Sequence, residues 1–339
     1  MSEVKSNWRA WLARPETILA ILLVVEWLLF WHFGTTTNRR GVVVGFGTMD
    51  RQFDLLRHSC EIGLLALALT PVILTGGIDL SVGSLLGLCA VVFGGLWQSF
   101  GLPVGVAALA TVAVGGVAGG INAGLVAKVR LPPLIVTLGT YSLFRGVAEG
   151  MTQGSATYTG FPAGFLALGQ GRWLGVPTQL WLFAVVALLV WLQVHRTTLG
   201  RVWRAVGFAP EGARYAGLRV GRVTAWAYVM AGMIAGLAAV IYTARLGQAR
   251  ADAGTGYELF AITAVVLGGT SIFGGRGGVV GTLLGVAAIA VLKSGLATLP
   301  IVVKMNAAEE ISGLLTGALL IAALAAGAVP RWWKSRVTS

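Results

Sequence analysis

The chain has 339 residues, 56% of them hydrophobic and only 11% charged, with a mean hydropathy of +0.81. A soluble domain carries about 25% charged residues, so the composition excludes a soluble module and points to an integral membrane protein. The net charge of +12 does not indicate nucleic acid, because the basic residues are scattered through loops and never gathered into a patch interleaved with aromatics.

A helix needs roughly 20 apolar residues to cross a bilayer. In chain order, the segments that suit are 17–33, 58–74, 80–97, 103–126, 133–150, 178–194, 223–244, 259–272, 278–296 and 307–329. The expected fold is an all-α integral membrane protein of about ten transmembrane helices, eight at the fewest if the short segments are re-entrant, with helices broken at glycine-rich motifs. It forms one domain over 1–339, with a membrane core at 17–329. The first segment lacks a small-residue cleavage site and reads as a retained helix. It carries Glu26, for which the sequence offers no partner. Cys60 and Cys89 each lie in an apolar run, which argues against a disulfide framework or a metal site.

The second and third segments are separated only by a break that holds Gly76, Gly77, Asp79 and Ser81. A lone carboxylate at membrane depth is costly, and lipid does not tolerate open backbone. The break must therefore be held inside protein or against a water-filled cavity, as in a translocation pathway. Two readings of Asp79 stay open. It hydrogen-bonds a passing solute or gates the pathway, or it caps the helix that begins near Leu80, with Ser81 helping.

Arg145 and Glu149 are spaced i,i+4 in the fifth segment and share a helix face, either as a neutralised pair or as a polar pathway wall. The loop at 195–222 is the only sizeable one on its side. Pro210 suits the first turn of a short helix, Glu211 complements its dipole, and Gly217 suits its end. Such a helix reads either as a docking element or as an ordinary basic loop. Tyr257 and Glu258 open the eighth segment. A second glycine-rich break follows at Gly268, Gly269, Gly274 and Gly275, with Arg276 placed either to touch a cytoplasmic partner or to anchor the loop. The run from Thr70 to Gly77 resembles that from Thr263 to Gly269, either as an internal repeat whose offset of six spans makes the two copies parallel, or because glycine-rich membrane sequence resembles itself by chance. Lys293, Glu309 and Glu310 sit near segment ends, where snorkelling explains them. Trp97, Trp173, Trp181, Trp332 and Trp333 look like interfacial anchors. His32, His58 and His195 stand isolated.

Ten spans put both termini on the side of Lys5, Arg9, Arg14, Lys128, Arg130, the arginines of 196–222, Arg276, Arg331, Lys334 and Arg336. By the positive-inside rule that side is cytoplasmic. Arg39, Arg40, Arg51 and Arg57 in the first outer loop run against the rule. An ion-coupled transporter would need acids in several helices, and Asp79 and Glu26 are few. An intramembrane enzyme would need a motif such as His-Glu-x-x-His, which is absent, as is the Gly-x-x-x-x-Gly-Lys-[Ser/Thr] loop that binds ATP.

Three motifs carry a family resemblance. They are Thr75-Gly-Gly-Ile-Asp-Leu-Ser-Val-Gly-Ser; Ala253-Gly-Thr-Gly-Tyr-Glu-Leu with Ala264-Val-Val-Leu-Gly-Gly-Thr-Ser-Ile-Phe-Gly-Gly-Arg-Gly-Gly; and Gly207-Phe-Ala-Pro-Glu-Gly-Ala-Arg-Tyr-Ala-Gly. Over 18–328 the chain resembles the permease subunit of bacterial ABC sugar importers of the ribose-transporter class, which also serves xylose, galactose, rhamnose and autoinducer-2. The resemblance implies a second permease copy, a periplasmic solute-binding protein, and a separate ATPase that carries ATP and Mg, all at the bacterial inner membrane. It makes this chain a transport subunit that itself binds no cofactor. It assigns ATPase coupling to Gly207, Pro210, Glu211, Ala213, Arg214 and Gly217. Phe208, Ala209 and Gly212 depart from the family's coupling segment and put the choice of ATPase partner in doubt. Branched-chain amino-acid importers are relatives and give the alternative substrate class.

Overall fold

The structure is a computed structural model that describes residues 15–37, 43–305 and 307–337, with the side chains of 15, 36–37, 43–44 and 326–337 outside the description. Lys5, Arg9, Arg14, Arg39 and Arg40 lie outside the described residues, as do the side chains of Arg331, Trp332, Trp333, Lys334 and Arg336.

The helices in chain order are α1 (Pro15–Phe33), α2 (Met49–Leu74), α3 (Val82–Gln98), α4 (Val104–Ala123, continued by a π-turn at Gly124–Lys128), α5 (Pro133–Met151), α6 (Ala163–Gln170) and α7 (Thr178–Arg196). They continue as α8 (Thr198–Phe208), α9 (Pro210–Tyr215), α10 (Val220–Leu246), α11 (Tyr257–Leu267), α12 (Val279–Leu296), α13 (Pro300–Met305) and α14 (Ala308–Val337). Every segment expected from the sequence contains a helix. Among the described residues, seven helices are long and apolar enough to cross a membrane: α1, α2, α4, α7, α10, α12 and α14. The expected count of ten is therefore loose. The shortfall includes α3, with 17 residues, and α11, with 11, both cut short by the adjoining breaks.

Most of α2, α10 and α12 is buried, whereas α1 and α14 show most of their length outward. At 26 residues α2 is about 39 Å long, enough to cross the hydrocarbon core. Small residues bring α4 and α10 together. A Cβ on Gly115 would stand 2.3 Å from the carbonyl oxygen of Gly232, and one on Gly119 would stand 2.3 Å from that of Tyr228. Such spacing of small residues lets helix backbones touch where lipid supplies no hydrophobic drive.

Two short helices are preceded by non-helical chain. Residues 75–81 lead into α3, and 248–256 lead into α11. The second stretch packs along α3: Gly94 faces Tyr158, whose backbone pairs with Ala249, Gly87 faces the carbonyls of Ala251 and Ala253, and Gly83 faces Gly254. Buried main chain needs partners. Arg145 supplies two of them by donating to the carbonyls of Ala251 and Ala253. No ion pair joins Arg145 to Glu149 among the described residues, and Glu149 is exposed. The spacing suggested a neutralised pair, but the arginine serves a distant backbone instead.

Candidate functional site

Both breaks open with the same helix ending. At the end of α2, Gly76 has φ +83°, its N–H donates to the carbonyl of Ile73 at 2.9 Å, and the N–H of Gly77 donates to that of Val72 at 3.0 Å. At the end of α11, Gly269 has φ +86°, its N–H donates to Val266 at 2.9 Å, and that of Thr270 donates to Val265 at 3.2 Å. This is the left-handed glycine stop that satisfies the last carbonyls of a helix. Gly76 and Gly269 therefore occupy equivalent positions in the two breaks.

The breaks meet at one end of the bundle, and the loop that holds α9 meets them there. The Gly275 N–H donates to the carbonyl of Leu74 at 3.0 Å. A Cβ on Gly274 would lie 2.8 Å from both the Gly207 Cα and the Gly76 nitrogen. One on Gly207 would lie 2.0 Å from the Leu74 carbonyl oxygen and 2.5 Å from the Gly275 nitrogen. Backbone thus touches backbone at a three-way junction of α8 with both breaks. His195, at the end of α7, joins the same region by accepting a hydrogen bond from the Val279 N–H at 3.2 Å. Isolated in the sequence, it satisfies an orphan donor at the start of α12.

Beyond the junction, α8 is anchored and α9 is presented. Trp203 is fully buried and its indole N–H donates to the Val223 carbonyl at 2.9 Å. In α9, Ala213 is buried, while Pro210, Glu211, Gly212 and Arg214 are exposed. Arg214 bonds both Glu211 oxygens, at 3.1 and 3.2 Å. Gly217 closes α9 in the left-handed region, at φ +78°. Phe208, at the end of α8, is 73% exposed and Tyr215, the last residue of α9, is 90% exposed. Arg276 is also exposed at this end, on the second break.

Asp79 lies deeper and is buried. Its Oδ1 accepts from the Ser81 N–H at 2.8 Å and the Ser81 hydroxyl at 2.6 Å. Helix α3 begins at Val82, so Ser81 holds the cap position and Asp79 braces it from two residues earlier. Asn122 donates to the Ser81 hydroxyl at 2.8 Å and accepts from Thr140 at 2.8 Å. This buried chain ties the first break to α4 and α5. Neutral Asn122 and Thr140 gave no signal in apolar runs.

Asp79→Asn keeps an acceptor for Ser81 and should leave transport within about twofold, whereas Asp79→Ala strands a buried N–H at a cost of about 1–3 kcal/mol. Thermal unfolding of the solubilised protein and uptake assays check this. Loss of transport in both variants, at undiminished stability, would instead assign Asp79 a proton-carrying role.

Midway along α2 lies a buried ion pair. Arg245 donates to Glu61 at 2.7 Å, and Glu61 is fully buried. Arg245 also approaches His58 Nδ1 at 3.0 Å and lies over the Tyr242 ring. Glu258, at the start of α11, is buried too. Buried acids are thus more numerous than Asp79 and Glu26 suggested. No cluster of His, Cys, Asp or Glu among the described residues is arranged to hold a metal ion.

A family profile described as "Branched-chain amino acid transport system / permease component" matches residues 52–324, the greater part of the chain. The chain belongs to this permease family. It is the membrane-spanning component of a transport system. Among its relatives are the autoinducer 2 import system permease proteins LsrD of Yersinia pseudotuberculosis serotype O:3 (strain YPIII) and of Yersinia pestis (strain Pestoides F). Each is 40% identical over 312 residues, covering 90% of this permease and 89% of the relative. No solved structure matches the chain. The matched region contains both breaks, α9 and the Glu61–Arg245 pair.

Proposed function

We propose that this permease forms the translocation pathway of an ATP-binding-cassette importer for a monosaccharide or sugar-like solute of the autoinducer-2 kind. A periplasmic binding protein delivers the solute, and a separate ATPase, with its own ATP and Mg, drives the cycle from the cytoplasm. The observation that carries this reading is the backbone junction of Gly207, Gly274 and Gly76. It joins an exposed helix suited to docking to both places where the membrane helices are broken, so force on α9 reaches the pathway without passing through flexible side chains. Gly76, Gly77, Asp79, Ser81, Gly268, Gly269, Gly274 and Gly275 are the hinge residues. Gly207, Pro210, Glu211, Ala213, Arg214 and Gly217 are the coupling residues, and Arg276 adds a contact on the same face. The α9 end is cytoplasmic, with both termini on that side of the bacterial inner membrane. A second permease copy, identical or related, completes the pathway.

The LsrD relatives support a sugar-like solute. The family's description supports the alternative of a branched-chain amino acid. Glu61 is held by Arg245 and Asp79 by Ser81, which leaves Glu258 as the buried acid that an ion-coupled mechanism would have to use. Exposed aromatics are the usual anchors of a protein interface. Phe208→Asp with Tyr215→Asp should therefore reduce co-purification of the ATPase at least about tenfold while membrane insertion persists, a loss of 1.4 kcal/mol or more. Undiminished ATPase capture by that double variant would refute the docking role of α9.

A further inference from the structure

Two hollows lie side by side at the end of the bundle remote from α9. The first is a groove of about 610 Å³ walled by α1, α2, α7 and α12, and its lining is apolar almost throughout. The second is a cavity of about 370 Å³ among α2, α10, α11, α12 and the start of α14. They adjoin each other, with Leu55, Ser59, Val286 and Ala290 lining both. The ionisable side chains of the cavity, apart from Tyr257, are Arg51, Asp54, His58, Arg245, Lys293 and Glu309. Arg245 is paired with Glu61, and Asp54 approaches Arg57 at 3.8 Å. Among the described residues, Arg51 and Lys293 have no carboxylate partner, and the Arg51 Nε is buried without a hydrogen bond. Against Glu309 these two leave a surplus of one positive charge, which is the charge that a phosphodiester balances.

A sugar would use the polar cavity and leave the groove empty. A free anion would do the same. An amphiphile matches a cationic cavity that lies against an apolar groove along membrane-spanning helices. We propose that the pair of hollows is a binding site for one anionic glycerophospholipid, with its phosphate between Arg51 and Lys293 and an acyl chain along the groove. The site wedges α1 against α2 and α12 and is separate from the coupling junction.

Native mass spectrometry of the full-length chain, purified in mild detergent and titrated with dioleoylphosphatidylglycerol or dioleoylphosphatidylcholine, tests this. The expected result is one phosphatidylglycerol adduct bound at least tenfold more tightly than phosphatidylcholine. Arg51→Gln with Lys293→Gln should weaken it at least tenfold, and Ala287→Trp, which blocks only the groove, should weaken it as well. Thermal unfolding without lipid reports whether each variant is folded, and Ala287→Trp keeps the test open if the charge variant is not. Equal binding of the two lipids, undiminished binding by the folded variants, or displacement of the adduct by millimolar inorganic phosphate would each overturn the proposal.

Discussion

Gly207→Val should abolish most transport while leaving the ATPase bound. A Cβ at this position falls 2.0 Å from the Leu74 carbonyl oxygen and 2.5 Å from the Gly275 nitrogen, and both are main-chain atoms that no rotamer change can move aside. Valine therefore pushes α8 away from both breaks and strains or severs the Gly275–Leu74 hydrogen bond. Overpacking of this kind costs about 1–3 kcal/mol. The exposed face of α9 and Tyr215 lie beyond the junction, whereas Phe208 adjoins Gly207, so capture of the ATPase should fall far less than transport. Gly212→Ala is the matched control: it sits in α9, and an added Cβ meets only the Ala209 side chain, at 3.5 Å. Solute uptake and ATPase co-purification, measured together in both variants, separate the two effects. If Gly207→Val transports like wild type, the junction is not the path of coupling.

Glu61→Ala should be the most destabilising single change in the described core. It leaves the Arg245 guanidinium largely buried with its carboxylate gone. Breaking a buried pair from one side typically costs about 3–5 kcal/mol, whereas replacing both partners by apolar groups of similar volume is often neutral. The double variant Glu61→Leu, Arg245→Met should therefore recover most of the loss. His58 and Tyr242 still pack at the site and limit the recovery. Thermal unfolding of the single and double variants in one detergent gives the comparison. A double variant as unstable as Glu61→Ala would mean that the pair does more than neutralise itself.

The sequence shows where these features lie better than how they are joined. Gly76, Gly77 and Asp79 stand out because glycine and acid are conspicuous in an apolar run, and the second break is visible for the same reason. The Pro210–Gly217 helix is legible because proline and glycine have fixed roles at helix ends. Glu61 is as visible in its apolar run as Asp79, but its partner is not, because Arg245 lies 184 positions away. Arg145 is misread for a related reason. A neighbour at i+4 is visible in sequence, while carbonyls 106 and 108 positions away are not. The short reach of α3 and α11 is equally hidden, because hydropathy does not distinguish a half-helix preceded by turns and coil from a full span. The meeting of Gly207 with both breaks depends on backbone approach, which only coordinates reveal.

The proposed import cycle is driven by ATP through a docked partner. The most direct measurement is uptake of labelled autoinducer-2 class solute into vesicles that hold the permease, its ATPase and the binding protein. It is made with ATP under an ionophore that collapses ion gradients, and again without ATP under an imposed gradient. Uptake that needs ATP and ignores the ionophore is the predicted result. Uptake that proceeds without ATP and stops with the ionophore would contradict it.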